Sequence, residues 1–288
     1  MAQANLLISC ADRPGIVAAV SGWLFEKGAN ILDSDQHSTD PYDKGRFFMR
    51  VEADFNDILI PDRKMLEKEF AAVAQTWDFS WSLSWGDEKP RVALLASKSG
   101  HCLYELLSRW QMHELNCDIV AVVSNHPDHR EYVERLGLPY HQVPSHDKPT
   151  AEAQIIQLLS GQVDLIVLAR YMQILSEDLL AAFSKTPIIN IHHSFLPAFI
   201  GADPYQQARD RGVKLIGATA HYVTKELDQG PIIEQDVSRV THRDDVQTMK
   251  RVGADLERQV LLRAVRWQLE DRILVDHADG NAQTIVFQ

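Results

Sequence analysis

The sequence predicts an α/β protein of two domains, in which a small βαββαβ domain precedes a doubly wound, mostly parallel sheet. The chain has 288 residues, more than one hydrophobic core usually serves, so two domains are expected. Its hydrophobic fraction of 45% and charged fraction of 24% are ordinary for a folded protein. The apolar pattern changes near residue 90, from short strands around two amphipathic helices to buried strands that alternate with helices.

The charge and the cysteines narrow the classes of function. The net charge is −11, from 40 acidic and 29 basic side chains, so no basic field attracts nucleic acid or an anionic membrane. No stretch reaches the roughly 20 apolar residues of a membrane span, and the first residues lack the basic region of a secretory signal. The three cysteines form no CxxC pair, which fits a reducing compartment. We therefore expect a cytoplasmic protein that binds neither nucleic acid nor membranes.

The first domain is expected over residues 1–85, where six segments have regular apolar periods. Asp12-Arg13-Pro14-Gly15 has the chemistry of a helix start, with proline in the first turn. Aromatic and polar residues alternate over the last segment, as in a half-exposed strand. In chain order we predict a strand over 5–10, a helix over 16–28, strands over 30–39 and 46–54 around a polar turn at 40–45, a helix over 62–75 and a strand over 77–85.

Residues 86–90, Gly-Asp-Glu-Lys-Pro, contain no apolar side chain and are predicted to be the linker. From 91 to 288 apolar runs alternate with helical stretches, which is the pattern of a parallel sheet with helices on both faces. In such sheets ligands bind beyond the carboxyl ends of the strands, so the residues after each strand are the candidates for chemistry. The predicted strands cover 92–96, 119–124, 165–169 and 188–192.

The densest group of polar residues ends the strand over 188–192. Alternation places Asn190 and His192 on the same side of that strand, so an amide and an imidazole point into one space. A lone histidine at a strand end is often satisfied by backbone carbonyls, but two donors in register favour a site. Asp228 lies beside a glycine and a proline, in a loop that could hold its carboxylate next to His192. The three predict acyl or one-carbon transfer, in which two groups stabilise an oxyanion and the third moves a proton.

Two other patterns are less specific. His126, His129, His141 and His146 could be metal ligands, but they lack a HExxH helix or closely spaced cysteines. Solvated loop histidines are therefore favoured, and no metal is expected. Residues 97–101 follow the first strand of the second domain, where a phosphate loop would lie, but they contain only one glycine.

Three segments of the second domain resemble the folate-dependent formyltransferase family. They are Leu-Ala-Arg-Tyr-Met-Gln-Ile-Leu at 168–175, Asn-Ile-His-His-Ser-Phe-Leu-Pro at 190–197, and residues 221–233. Residues 5–85 resemble an ACT domain, an amino-acid-sensing module, through Asp-Arg-Pro-Gly-Ile-Val at 12–17. The resemblance covers nearly the whole chain. It implies a ferredoxin-like fold for the first domain and the formyltransferase fold for the second.

The resemblance also implies roles for single residues. Asn190 and His192 would polarise the formyl carbonyl, and Asp228 would position the imidazolium and relay protons. Folate would be the substrate, and no cofactor beyond it is implied. The folate pocket would be lined by Arg170, Met172, Ile174, Leu175 and Val223.

One departure from the family pattern separates two reactions. Transferases that pass the formyl group to glycinamide ribonucleotide carry a glycine-rich phosphate loop where this chain has Ser-Lys-Ser-Gly-His at 97–101. Without that phosphate-binding loop we expect water as the nucleophile, so that 10-formyltetrahydrofolate is hydrolysed to tetrahydrofolate and formate. The formate would supply purine synthesis and balance the one-carbon pool. Formyl transfer to an amine is the nearest alternative, and a non-catalytic amino-acid sensor is another.

The ACT-like domain implies regulation and a homo-oligomer, because such domains commonly pair with a second copy and bind ligands near the loop after the first strand. Asp12, Arg13 and Gly15 begin a helix whose backbone N–H groups could hold a carboxylate. Asn30, at the start of the second strand, is the expected partner of an amino group. Glycine and methionine are the expected effectors, since both report on one-carbon supply and demand. A purely structural module is the alternative.

Overall fold

The structure is a computed structural model that describes residues 2–40, 45–55, 62–197, 204–277 and 282–288. Most of the predicted turn at 40–45 lies outside these residues. The chain divides into two compact units, and the break between Lys89 and Pro90 falls in the predicted linker. The first unit contains Met1–Lys89, Glu270–Asp276 and Ile285–Gln288, and the second contains Pro90–Leu269 and His277–Thr284.

The first unit has the predicted βαββαβ order. Its four strands form an antiparallel sheet in the order β2-β3-β1-β4. Asp62 begins the second helix by accepting a hydrogen bond from the backbone N–H of Lys64 at 2.9 Å. The elements are β1 (Ala2–Ala11), α1 (Ile16–Glu26), β2 (Asn30–Ser38), β3 (Arg46–Phe55), α2 (Arg63–Trp77) and β4 (Ser80–Trp85).

The predicted strand over 77–85 begins too early. Helix α2 continues through Trp77, and Asp78 ends it with φ 52° in the left-handed region. Strand β4 therefore starts only at Ser80. The alternation of aromatic and polar residues continues across the helix end, so it did not mark where the strand begins.

The two faces of the first sheet are covered differently. One face packs on α1 and α2, where the rings of Trp23 and Phe70 meet edge to face at 4.7 Å. On the other face, Leu7 and Phe48 pack with Phe287 from the end of the chain. The C-terminal residues thus complete the core of the first unit, whereas the sequence analysis placed them in a second domain over 91–288.

The second unit is a seven-stranded sheet whose parallel core confirms the predicted fold class. The predicted strands over 165–169 and 188–192 agree residue for residue with Leu165–Ala169 and Ile188–His192. The elements are β5 (Arg91–Ala96), α3 (His101–Gln111), β6 (Asp118–Ser124), α4 (Arg130–Arg135), β7 (Tyr140–Gln142), α5 (Lys148–Leu159), β8 (Leu165–Ala169), α6 (Glu177–Ala182), β9 (Ile188–His192), α7 (Pro204–Asp210), β10 (Leu215–Tyr222), β11 (Ile232–Arg239) and α8 (Val246–Leu269). A separate two-stranded sheet is formed by β12 (Ile273–Asp276) and β13 (Gln283–Val286), of which β12 and the end of β13 belong to the first unit.

The strand order β11-β10-β9-β8-β5-β6-β7 positions the candidate site. Strands β7, β6, β5, β8 and β9 run parallel, and β10 and β11 are antiparallel additions that the sequence analysis did not predict. Along the chain, β6 and β7 are added on one side of β5, and β8 to β11 are then added on the other. Because parallel strands end at the same edge, the residues that follow β5, β8 and β9 gather there. Among the described helices none is long and apolar enough to cross a membrane.

Candidate active site

The three predicted catalytic residues lie together at the carboxyl end of β9. His192 Nδ1 lies 3.3 Å from Asp228 Oδ2, and Asp228 lies in the loop between β10 and β11 with φ 56°. His221 on β10 pairs with Asn190 across the antiparallel β9–β10 ladder. Its Nε2 lies 3.2 Å from Asn190 Nδ2 and 3.7 Å from Asp228 Oδ1. The site therefore consists of one amide, two imidazoles and one carboxylate.

Asp228 is held as a carboxylate. The imidazoles of His192, at 3.3 Å, and of His221, at 3.7 Å, keep its pKa well below the usual range, although partial burial opposes them. His192 is 6% exposed, and its Nε2 is buried with no hydrogen-bond partner among the described residues. Such an imidazole nitrogen fits a donor that awaits a substrate oxygen.

His221 was not among the predicted site residues. Its Nδ1 lies 2.9 Å from the backbone carbonyl oxygen of Tyr222. A carbonyl only accepts, so Nδ1 carries a proton, and Nε2 faces Asn190 and Asp228. The sequence signal was its place at the start of the segment 221–233. Its position opposite Asn190 depends on the register of β10, which the sequence analysis did not predict.

A cleft next to this group contains part of the predicted folate pocket. Ile174, Leu175 and Val223 line it together with Asn190 and Asp228. The cleft holds about 430 Å³ of space, including the open solvent at its mouth. The lining thus combines apolar side chains with amide, imidazole and carboxylate groups.

The other two residues of the predicted folate pocket are not brought to this cleft. Arg170 follows β8 with φ 63°, and its Nε lies 3.3 Å from Glu257 Oε2. Met172, with φ 60°, leaves 58% of its surface exposed. Left-handed backbone at both positions breaks the alternation that strand β8 would have continued. The side chains consequently take directions that the sequence pattern does not predict.

Glu257 on α8 is the centre of a second polar cluster. It is 2% exposed, the Tyr205 hydroxyl donates to its Oε1 at 2.9 Å, and His101 Nε2 lies 2.7 Å from Oε2. Burial alone would raise its pKa, but the hydrogen bond from His101 and the charge of Arg170 bring that pKa below its ordinary value. The cluster therefore buries a carboxylate against a guanidinium. The sequence analysis did not single out Glu257.

His101, Cys102 and Glu257 have ligand atoms within 4.8 Å of one another, close enough for a shared metal ion. Two features oppose a cation there. The guanidinium of Arg170 already lies beside Glu257, and burial raises the pKa of the Cys102 thiol well above its usual value, so the thiolate needed for metal binding is disfavoured. The expectation that no metal is needed stays a prediction.

The expectation of solvated loop histidines is wrong for His129. It is 3% exposed, its Nε2 donates to the carbonyl oxygen of Ser97 at 2.7 Å, and the Tyr104 hydroxyl lies 2.7 Å from Nδ1. Ser97 Oγ also donates to Asn125 Oδ1 at 2.8 Å. The residues that follow β5 are therefore bound by the protein's own polar groups.

The predicted effector residues lie in the first unit. Gly15 begins α1 with φ 96°, and the Arg13 guanidinium stacks 4.7 Å over the Trp77 ring. The backbone N–H of Asp12 donates to the Gly45 carbonyl at 2.8 Å, so this donor is already used within the unit. Asn30 is exposed at the start of β2.

Comparisons with known proteins agree with this architecture. Residues 90–265 match the formyl transferase family, and residues 4–59 match the ACT domain. The formyltetrahydrofolate deformylase of Bacillus subtilis is 52% identical over 99% of this chain and 94% of its own length, and that of Mycobacterium tuberculosis H37Rv is 50% identical over 98% and 90%. A deformylase crystal structure from Pseudomonas syringae superposes with TM-score 0.92 at 47% identity, over 100% of this chain and 95% of that one. Glycinamide ribonucleotide transformylase 1 of Symbiobacterium toebii gives 0.64 at 30% identity, over 72% and 98%.

Proposed function

The chain belongs to the formyltetrahydrofolate deformylase family, and on that premise we propose which of its residues carry out the reaction. The enzyme is a hydrolase that converts formyltetrahydrofolate and water into tetrahydrofolate and formate. The observation that supports our assignment is the group of Asn190, His192 and Asp228 beside the cleft, with a buried, unpartnered Nε2 on His192.

Asn190 and His192 donate to the formyl oxygen. When water adds to the formyl carbon, that oxygen becomes negative, and donors placed before the reaction stabilise it more than they stabilise the substrate. Asp228 keeps the proton on the imidazole of His192, because its carboxylate is ionised and hydrogen-bonded to Nδ1. When the C–N bond breaks, this pair relays a proton to the leaving nitrogen.

The folate is held in the cleft lined by Ile174, Leu175 and Val223. We assign the bicyclic ring of the substrate to this cleft, with its formyl group toward Asn190. We leave Arg170 and Met172 out of this assignment, because they are not among the residues that line the cleft.

Water, rather than an amine, is the proposed acceptor. Ser97 and His101, in the segment that follows β5, are hydrogen-bonded to Asn125 and Glu257, so these polar groups are not free to bind the phosphate of a ribonucleotide. The structural similarity to a glycinamide ribonucleotide transformylase makes formyl transfer the alternative to test. Formate released here would feed reactions that consume it, such as those of purine synthesis.

The finer statements about the enzyme's surroundings are also proposals. We propose that it works in the cytoplasm as a homo-oligomer, that it needs no metal or cofactor, and that glycine or methionine regulates it through the ACT domain at Asp12, Arg13, Gly15 and Asn30. Full activity after treatment with a chelator supports the absence of a metal. Loss of activity that zinc restores contradicts it.

The decisive experiment incubates the purified protein with 10-formyltetrahydrofolate alone and measures formate and tetrahydrofolate. We expect equal amounts of both in the absence of any amine. Adding glycinamide ribonucleotide should neither accelerate the release of tetrahydrofolate nor yield a formylated ribonucleotide. A formylated ribonucleotide as the major product would move the chain to the transferases.

A further inference from the structure

The proposed reaction leaves one proton without an acceptor, the one that water loses as it attacks the formyl carbon. Asp228 is a poor candidate, since the neighbouring imidazoles of His192 and His221 keep its pKa well below the usual range. His192 is also unsuitable, because its role as a donor to the oxyanion requires that it keep its proton. The acceptor therefore has to be another group beside His192.

His193 is placed to fill this role. It follows the last residue of β9, and its ring stacks on that of His192 with the centroids 5.2 Å apart and the planes at 27°. The Tyr205 ring lies 6.3 Å from that of His193, centroid to centroid. The imidazole is thus held half-buried in a slot next to the proposed oxyanion donor. Orientation of this kind is what a positioned base requires.

The surroundings of His193 keep it neutral. Burial, and then the positive charges of Arg170 and His192, lower its pKa to about 4, while Glu257 and Asp228 act in the opposite direction. A neutral imidazole has one nitrogen with a free lone pair, which can accept a proton at neutral pH. The charged and titratable groups around it come from five elements: Arg170 after β8, His192 on β9, Tyr205 on α7, Asp228 between β10 and β11, and Glu257 on α8.

Arg170 has a donor nitrogen that is suited to binding a water. Glu257 holds its Nε side at 3.3 Å, but Nη1 is buried with no hydrogen-bond partner among the described residues. Buried guanidinium nitrogens are rarely left unpaired, so a water or an anion is expected at this position. A water that accepts from Arg170 Nη1 keeps both of its own protons to donate, and the charge of Arg170 is close enough to His193 to lower its pKa.

We propose that His193 binds the hydrolytic water together with Arg170 and takes its proton as the water oxygen bonds to the formyl carbon. This inference rests on the proposed hydrolysis. The tetrahedral intermediate then collapses, the C–N bond breaks, and the nitrogen takes a proton from the His192–Asp228 pair. The formic acid so formed returns its hydroxyl proton to the His192–Asp228 pair and leaves as formate, and the proton on His193 is released to solvent. The sum is one water consumed and one formate, one tetrahydrofolate and one proton formed.

The test compares formate release by the wild-type enzyme with that of His193→Ala and His193→Gln. We expect kcat to fall by about 10²-fold, the usual size of a general-base contribution, with KM changed by less than about threefold. Added imidazole should restore part of the activity of His193→Ala but none of that of His193→Gln, whose side chain fills the slot. His146→Gln, at an exposed histidine, is the matched control and should behave as wild type.

A second measurement does not depend on how well the His193 variants fold. Because the charge of Arg170 lowers the pKa of His193, Arg170→Met should move the acidic limb of the kcat–pH profile upward by about one pH unit. An unshifted limb in a folded Arg170→Met enzyme, or kcat of His193→Gln within about twofold of wild type, overturns the proposal. If the wild-type enzyme itself releases no formate, the proposed hydrolysis has failed instead.

Discussion

Two arginines, one in each unit, are largely removed from solvent and have opposite surroundings. Arg50 on β3 is 3% exposed, and its guanidinium donates to Asn5 Oδ1 at 3.0 Å, to Glu52 at 3.0 Å, and to the backbone carbonyls of Glu270 and Asp271 at 3.2 and 3.1 Å. Arg170 lies after β8 and has one ion pair, with Glu257, while its Nη1 has no hydrogen-bond partner among the described residues.

The difference separates a structural charge from a functional one. Arg50 satisfies carbonyls of the C-terminal segment within the first unit, so its desolvation is offset by hydrogen bonds to the protein itself. Arg170 and His192 keep donors without partners, a cost of about 1–3 kcal/mol for each buried group. Unpaired donors in a buried region are expected where a ligand completes the hydrogen bonds. At the ends of β8 and β9 the second unit therefore has hydrogen-bond donors without partners among the described residues. In the first unit, the donors of Arg50 are bound by acceptors of the protein itself.

The largest expected effect is at Asp228. Asp228→Asn keeps the size of the side chain but removes the charge that holds the proton on His192, so we expect formate release to fall by about 10³-fold or more. Thermal unfolding should remain cooperative. Asp164→Asn, at an exposed ion pair with Arg91, is the control and should keep its activity. An active, well-folded Asp228→Asn protein would show that the site does not depend on this carboxylate.

The next largest expected effect is on the stability of variants at Arg50 and Arg170. Arg50→Met leaves the buried acceptors of Arg50 without a donor, so we expect the free energy of unfolding to fall by about 3 kcal/mol. Arg170→Met leaves Glu257 with His101 and Tyr205, so a loss below about 1 kcal/mol is expected. Urea unfolding of both variants measures the difference. Equal losses would remove the distinction between the two arginines.

A smaller effect is expected at the oxyanion donors. Asn190→Ala and His192→Ala should each lower turnover by roughly 10²-fold, while the affinity for folate stays close to that of wild type. Steady-state kinetics and direct binding of tetrahydrofolate separate these two quantities. Unchanged turnover in both variants would exclude the two residues as oxyanion donors.

The smallest effect concerns regulation in the first unit. If glycine or methionine binds near Gly15, one of them changes the rate of formate release in the intact enzyme, and calorimetry detects its binding. Gly15→Val should remove that response, because valine disfavours a φ of 96° and its Cβ would lie 3.0 Å from the Trp77 ring. Neither amino acid binding, together with a Gly15→Val variant altered only in assembly, would leave the domain a structural role.

Local patterns predicted much of the site because it lies at the ends of largely apolar strands. The strands over 165–169 and 188–192 are buried on both faces, and the polar residues that end them stand out in the sequence. The same alternation placed Asn190 and His192 on one side. Asp228 was singled out from its place beside a glycine and a proline, the resemblance to the formyltransferase family implied its role, and the structure places its carboxylate 3.3 Å from His192.

Other parts of the site had no local signal. His221 reaches Asn190 only through the antiparallel register of β9 and β10, and a register joins residues that are far apart in the sequence. His129 is buried because Ser97 and Tyr104 converge on it, although its own neighbours are polar. The direction of the Arg170 side chain follows from a left-handed backbone conformation. Arginine seldom adopts this conformation, and no residue pattern predicts it.

The sequence by itself determined the fold class, the break near residue 90 and the residues most suited to the chemistry, because apolar period and residue type act over a few neighbouring positions. The tertiary structure decided which of these residues meet, which buried charges are satisfied, and that the last residues of the chain complete the core of the first unit. Those outcomes depend on contacts between distant segments, whose free energies arise only when the chain has packed.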